Sequence, residues 1–298
     1  MVDHPRRYPE SVSRIEVCTS PSPASIKEIC NFVSTLDPSQ RLSDHLRLDL
    51  LAGGRQGFVG LLDRDDATGA LVGYAQMSAG NDCQILGVCA AMAEPLLLAS
   101  LEHRNPRLRL RWWIHDAPSQ HEPLALSHGF VLERALIELR RWLPGDQRSG
   151  LTTRGIDLER DLEAVIAVNN RAFEGHGEQG NWTMQDLQRR IEEPWFHPDA
   201  IRVIDGAAGI DGFCWVKPHH DEDRPCGEIY VIGVDPQHHG RGLGTELTRA
   251  GLDWMTDHGL PEAMLFVDEQ NAAALRLYQR LGFSPSRIDR CYSLEALQ

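Results

Sequence analysis

Residues 229–245 read I-Y-V-I-G-V-D-P-Q-H-H-G-R-G-L-G-T. An apolar run of strand type ends in a loop whose three glycines, Gly240, Gly242 and Gly244, alternate with Arg241 and Leu243. A bare loop between a strand and a helix presents unpaired amides at the positive end of the helix dipole, which suits an anion such as phosphate. Glycine lets the backbone approach the ligand and take positive φ. The plain alternative is a tight strand-to-helix turn. A P-loop would need a Gly-Lys pair, and none occurs. A dinucleotide fingerprint would need a third glycine where Thr245 stands, and would sit in the first strand–helix turn rather than after a hairpin.

Outward from this loop, the two halves of the chain echo each other. F-V-G-L-L-D and L-V-G-Y-A-Q-M in the first half answer I-R-V-I-D and I-D-G-F-C-W-V in the second, each pair reading as a β-hairpin. Q-I-L-G-V (84–88) answers Y-V-I-G-V (230–234), and L-A-L-S-H-G-F (124–130) answers L-Y-Q-R-L-G-F (277–283). A tandem duplication follows. Gly73 to Gly129 spans 56 positions and Gly212 to Gly282 spans 70, so the second half carries 14 more. It also has the glycine loop and a helix expected over 245–258, where the first half has A-A-M-A-E-P-L-L-L-A-S-L. Leu143–Gly155 is rich in turn formers and reads as the linker.

The 298 residues suit two domains, and 42% hydrophobic content with 24% charged residues is that of a folded chain. A net charge of −13 argues against nucleic acid and against an anionic membrane surface; its plain meaning is solubility. Seven scattered cysteines, odd in number and without a C-x-x-C pair, fit a reducing compartment better than a disulfide framework or zinc site. The start, M-V-D-H-P-R-R-Y-P-E, lacks a signal-peptide core, and the apolar stretch 85–101 is interrupted by Glu94 and Pro95. A cytoplasmic protein without metal is expected. P-H-H-D-E-D-R-P (218–225) reads as a hairpin loop rather than a metal site, and R-L-R-W-W (109–113) as a strand with one buried face. Cys214, Cys226 and Cys291 sit in strand-like runs with no evident His partner, which argues against a covalent acetyl carrier.

Q-H-H-G-R-G (237–242) resembles the Q/R-x-x-G-x-G/A loop of the GCN5-related N-acetyltransferases, and N-A-A-A-L-R-L-Y-Q-R-L-G-F (271–283) resembles that family's next segment. Within the family, V-N-N-R-A-F (168–173), H-G-E-Q-G-N-W-T (176–183), E-P-W-F (193–196) and G-E-I-Y-V-I-G-V-D-P (227–236) resemble a two-domain subgroup. The likeness is close over 150–298 and loose over 1–145. It implies an α/β fold of two tandem acetyltransferase domains, with mixed central sheets flanked by helices: a degenerate one at 1–147 and a catalytic one at 148–298. It implies acetyl-coenzyme A and a small-molecule amine as partners, and a monomer. The coenzyme would lie on Ile232, Gly233, Val234, His239, Gly240, Arg241, Gly242, Leu243, Gly244 and Thr245. It would also touch Asn271, Ala272, Ala273, Ala274, Leu275 and Arg276. The acceptor would meet Asp44, Glu178, Lys217, Glu228 and Phe266. Three departures stand out: the first half has no pyrophosphate loop, Phe266 stands where the resemblance leads to a tyrosine, and Asp44 where it leads to a glutamate.

Acyl transfer to an amine needs a positioned thioester, a base and an acid. A strand amide near Ile232 or Val234 is the candidate for polarising the thioester carbonyl. Glu228, just before the loop-bearing strand, is the candidate base, and alternation places it with Tyr230 and Ile232; otherwise it is a solvated carboxylate. Tyr278 is the candidate acid; otherwise it is a core aromatic. The first half has Asp82, Ala125 and Pro118 at the places of Glu228, Tyr278 and Asn271, so it keeps a carboxylate but no phenol. Alternative functions are acetylation of an aminoglycoside or polyamine, and a coenzyme A-binding sensor without catalysis, which would need neither Glu228 nor Tyr278.

Overall fold

The structure, a computed structural model, describes residues 13–37, 40–54, 57–78, 82–88, 90–117, 120–175, 179–207, 209–220 and 225–296. Ten elements recur in the same order in each half. The first half runs β1 (Ser13–Cys18), α1 (Pro23–Ser34), α2 (Asp44–Leu51), β2 (Val59–Asp65), β3 (Leu71–Met77), β4 (Asp82–Leu86), α3 (Ala90–His103), β5 (Leu110–Ala117), α4 (His121–Ser127) and β6 (Val131–Trp142). The second runs β7 (Arg154–Gly155), α5 (Leu162–Ala172), α6 (Met184–Ile191), β8 (Ile201–Gly206), β9 (Gly209–His219), β10 (Cys226–Val234), α7 (Leu243–Asp257), β11 (Glu262–Asp268), α8 (Ala272–Arg280) and β12 (Ser284–Leu294).

The chain forms two compact units, one of Met1–Ala135 with Ile288–Gln298 and one of Leu136–Arg287. The first has strand order β1-β2-β3-β4-β5-β12, antiparallel except between β4 and β5. The second has the order β6-β11-β10-β9-β8-β7, antiparallel except between β10 and β11. The units therefore do not divide at 147/148. Strand β6, from the first half, lies on β11 with Leu139 opposite Leu265. Strand β12, at the end of the chain, lies on β5 with Tyr292 opposite Trp112. Repetition explains the difference: β5 and β11 present equivalent edges, and nothing local in the sequence says which last strand satisfies which edge.

Local chemistry accounts for the elements. Ser22 accepts the Ser25 amide ahead of α1, Thr183 and Asp186 form a reciprocal capping box on α6, and Asn271 Oδ1 accepts the Ala274 amide of α8. The Gly-Phe landmarks close α4 and α8 in the same way. Gly129 and Gly282 have φ of 80° and 81°, and the amides of Phe130 and Phe283 bond to the carbonyls of Ala125 and Tyr278, both at 3.1 Å. Helix α7 begins at Leu243 rather than Thr245, because Gly242, at φ 81°, already turns the chain into the helix.

In the second unit, α5 and α6 cover one sheet face over Phe213, Trp215 and Val231. Helices α7 and α8 cover the other, over Cys214, Val216, Ile229 and Leu265. Each such buried apolar side chain contributes about 1.5–3 kcal/mol. The linker is pinned along α7: the amides of Ser149 and Gly150 donate to Asp253 and Glu246, and Arg148 pairs with Asp257. Strand β5 buries Trp112 and also Trp113, whose ring lies 5.6 Å beneath the Arg134 guanidinium, so both of its faces are covered rather than one. Among the described residues, no helix is long and apolar enough to cross a membrane, and no cluster of three or more His, Cys, Asp or Glu is arranged to hold a metal.

Candidate active site

Between β10 and α7 the chain makes a short 3-10 turn, Pro236–His238, then the glycine loop. Asp235 holds the turn by accepting the Gln237 amide and an ion pair from Arg171, and His239 Nε2 donates to the Val234 carbonyl at 3.1 Å. Gly240 and Gly242 take φ of 77° and 81°. A Cβ built at either meets nothing within 4 Å, so open space rather than crowding surrounds the bare backbone. The amides of Gly242, Leu243 and Gly244 have no partner among the described residues; pairing resumes with Thr245 and Glu246, both onto the Gly242 carbonyl. Unpaired amides, open space and a helix dipole together fit a pyrophosphate. The start of α8, Ala272–Ala274, is a second, partly exposed helix N-terminus, where Asn271 spends its side-chain oxygen on the cap.

Strand β10 is irregular where the chemistry is expected. Opposite β9, the register slips between Ile229 and Val231, leaving Tyr230 as a bulge residue. On its other side, β10 pairs with β11 only as far as Glu228 opposite Met264, although the strands run on to Val234 and Asp268. Beyond Glu228 the sheet is therefore open between two parallel strands. The bulge corrects the expected alternation. Ile229 packs in the α7/α8 core, so Glu228 points to the opposite face, with Tyr230 in the aromatic core; Ile232 returns to the α7/α8 side. Glu228 and Ile232 thus do not share a face.

Glu228 is not a solvated strand-end carboxylate. Its side chain is 13% exposed, and Oε2 accepts a hydrogen bond from His219 Nε2 at 2.8 Å. Oε1 has no partner among the described residues. Lys217 stands directly opposite on β9, which continues past it to His219. Its ammonium lies 5.2 and 5.3 Å from the rings of Trp195 and Tyr230. Those two rings belong to an aromatic cluster with Trp182, Phe196 and Trp215, whose ring pairs are mostly edge to face, and Arg190 Nε donates to the Tyr230 hydroxyl. Phe266, on β11, lies under the Arg287 guanidinium at 5.5 Å.

Tyr278 belongs to the α7/α8 core, its ring edge-to-face with Phe283 at 5.8 Å. Burial, then the nearby Cys214, pushes its hydroxyl above the ordinary phenol range, so it stays protonated through neutral pH. Glu228 and Tyr278 thus lie on opposite faces of the sheet. Cys214 is fully buried, with its thiol pushed up to about 12 by that burial, which removes it as a nucleophile.

Two of the expected residues are not among those just described. Glu178 falls outside the described residues. Asp44 belongs to the first unit, as the first residue of α2 behind Ser43, with Arg47 at 3.9 Å. Conversely His219, Tyr230, Trp195 and Arg190 were not legible as site residues. His219 lay in a His-His run that suggests metal at first sight, and the others became neighbours only through the pairing of β9 with β10 and the packing of the 184–196 segment.

An open parallel strand pair beside a glycine loop at a helix N-terminus, with a covered carboxylate on one sheet face and a protonated phenol in the core on the other, defines an acetyl-coenzyme A-dependent acetyltransferase of the GCN5-related class. Residues 162–283 match the Acetyltransferase (GNAT) family. A tandem GNAT protein from the clavulanic acid biosynthesis pathway superposes with a TM-score of 0.63 at 15% identity, covering 96% of this chain and 99% of that one. The mycothiol acetyltransferase of Thermomonospora curvata is 36% identical, covering 92% of this chain and 94% of its own. That of Thermobispora bispora is also 36% identical, covering 94% and 98%. The chain belongs to the mycothiol acetyltransferase family.

Proposed function

We propose that the second unit is catalytic and moves an acetyl group from acetyl-coenzyme A to the cysteinyl amine of 1D-myo-inositol 2-(L-cysteinylamino)-2-deoxy-α-D-glucopyranoside, the final step of mycothiol assembly. Relatives named for mycothiol, similar along almost their whole length, support the acceptor. The observation that carries the chemistry is the opening beyond Glu228, with a carboxylate oxygen available on one face and a protonated phenol on the other.

Acetyl-coenzyme A supplies the activated thioester. The amides of Gly242, Leu243 and Gly244 hold its pyrophosphate, with Gly240, Arg241 and Thr245 around them and the first turn of α8 alongside. Backbone amides of β10 near Ile232 and Val234, beyond its last pairing with β11, are placed to polarise a carbonyl. Glu228 Oε1 takes the proton of the attacking ammonium, directly or through water, on the aromatic face. Tyr278 returns a proton to the leaving thiolate from the α7/α8 face. Lys217 and Phe266 contact the acceptor from β9 and β11. Glu178 and Asp44 are acceptor contacts by family resemblance alone. We further infer a monomer working in the cytoplasm, consistent with the cysteines at 18, 30, 83, 214, 226 and 291 forming no disulfide.

The test is a competition assay. The purified chain, given acetyl-coenzyme A, should turn over the cysteinyl conjugate with a kcat/KM at least about 100-fold above that for polyamines or aminoglycosides. A preferred polyamine or aminoglycoside overturns the acceptor assignment, and coenzyme binding without any turnover indicates a sensor.

A further inference from the structure

Glu228 is the proposed base, yet its carboxylate is largely covered. A base must present a free oxygen toward the proton it takes, so a covered carboxylate needs a donor that fixes its orientation. The facing groups are these. Lys217 is directly opposite, engaged with two aromatic rings, and Cys226 precedes Glu228 by two on the same strand. Met264 is its neighbour on β11; Arg140, opposite Met264, contacts its sulfur but spends its other donors on Glu138 and Glu262. Arg190, from α6, is committed to Tyr230, and Arg287 lies over Phe266.

His219 differs from all of these. It is opposite Cys226, diagonal to Glu228 on the same face, and its ring reaches the carboxylate at 2.8 Å. Because a carboxylate only accepts, Nε2–H donates. The bond occupies Oε2 and leaves Oε1 for the amine or a bridging water. The ring is 22% exposed and Nδ1 has no partner among the described residues, so the imidazole touches solvent while the carboxylate beside it is mostly shielded.

We propose that His219 is a positioning residue for the reaction: its Nε2–H holds Glu228 turned so that Oε1 receives the amine proton. The proposal rests on Glu228 being the base. A glutamine at 219 carries an amide N–H that can reach the same oxygen, whereas leucine or phenylalanine cannot donate.

The experiment measures kcat and both KM values from pH 5.5 to 9.5 for wild type, H219L, H219F, H219Q, E228Q and the H219L/E228Q double variant, using the cysteinyl conjugate and acetyl-coenzyme A. Expected is a loss of kcat of roughly tenfold or more in H219L at pH 7, with a pH profile changed from that of wild type. KM for acetyl-coenzyme A should be unchanged, and H219Q should restore most of the rate. The double variant should be no slower than E228Q, since the two act as a unit. If H219L fails to fold, H219F carries the same expectation. A wild-type rate and pH profile in a folded H219L or H219F, with E228Q slow, overturns the role of His219 alone. A wild-type rate in E228Q overturns the assignment of the base beneath it.

Discussion

At the scale of single residues, the two proposed proton-transfer groups sit in different environments. Glu228 is held by one imidazole on one sheet face, and Tyr278 is buried on the other. A phenol displaced upward by burial is a poor base and a dependable donor, because its proton is present at every pH the enzyme meets. Tyr278→Phe should therefore lower kcat about 10²–10³-fold while leaving acetyl-coenzyme A affinity close to wild type. Single-turnover measurement of acetyl transfer, beside calorimetry of coenzyme binding, checks this. A wild-type transfer rate would reduce Tyr278 to a core aromatic.

At the scale of elements, the loop and the start of α7 form one device. Because Gly240 sits at φ 77° with open space around its missing Cβ, Gly240→Val is strained by its backbone and intrudes where a ligand would approach. Coenzyme affinity should fall at least about tenfold, with kcat affected less; calorimetry reads the first and saturation kinetics the second. A second element, the entry to α5, is tied by charge. Arg154 pairs with Asp161 and Asp205, and Asp161 also accepts the Asp157 amide. The Arg154 hydrogen bond leads in holding the Asp161 carboxyl down to about 2 from 3.8. A carboxyl depressed on folding contributes stability that is present above its unfolded value and lost as pH falls through its folded one. The contribution, about 2 kcal/mol, should fade between about pH 4 and pH 2. Urea titrations of wild type and Asp161→Asn should differ by that amount at pH 7 and converge toward pH 2. Equal stability at pH 7 would contradict it.

At the scale of the whole molecule, duplication has preserved the fold and let the site diverge. Both sheets keep one parallel pair, both fourth helices end in Gly-Phe, and Arg134 over Trp113 in the first unit matches Arg287 over Phe266 in the second. Chemistry was not kept in step. Ala125 stands where the second half has Tyr278, and residues 90–101, which stand in place of the glycine loop and its helix, contain no glycine. One functional acetyl-coenzyme A site per chain is therefore expected, and calorimetric stoichiometry checks it. Two equivalent sites would require the first unit to hold the coenzyme by other contacts.

Features that depend on neighbours in the chain can be read directly from the residues. Alternating glycines, the Asn271 cap, the Gly-Phe helix ends and the repeated hairpins are local, so their residues announce them. Tertiary structure decided what depends on pairing between distant segments. Which last strand covers which sheet is a choice between equivalent edges, invisible to local pattern. The bulge at Tyr230 breaks a two-residue period that sequence can only assume to continue, and so moves Ile232 to the other face from Glu228. The meeting of His219 with Glu228 required the register of β9 against β10, because a hydrogen bond across strands is set by alignment and not by either residue's own surroundings.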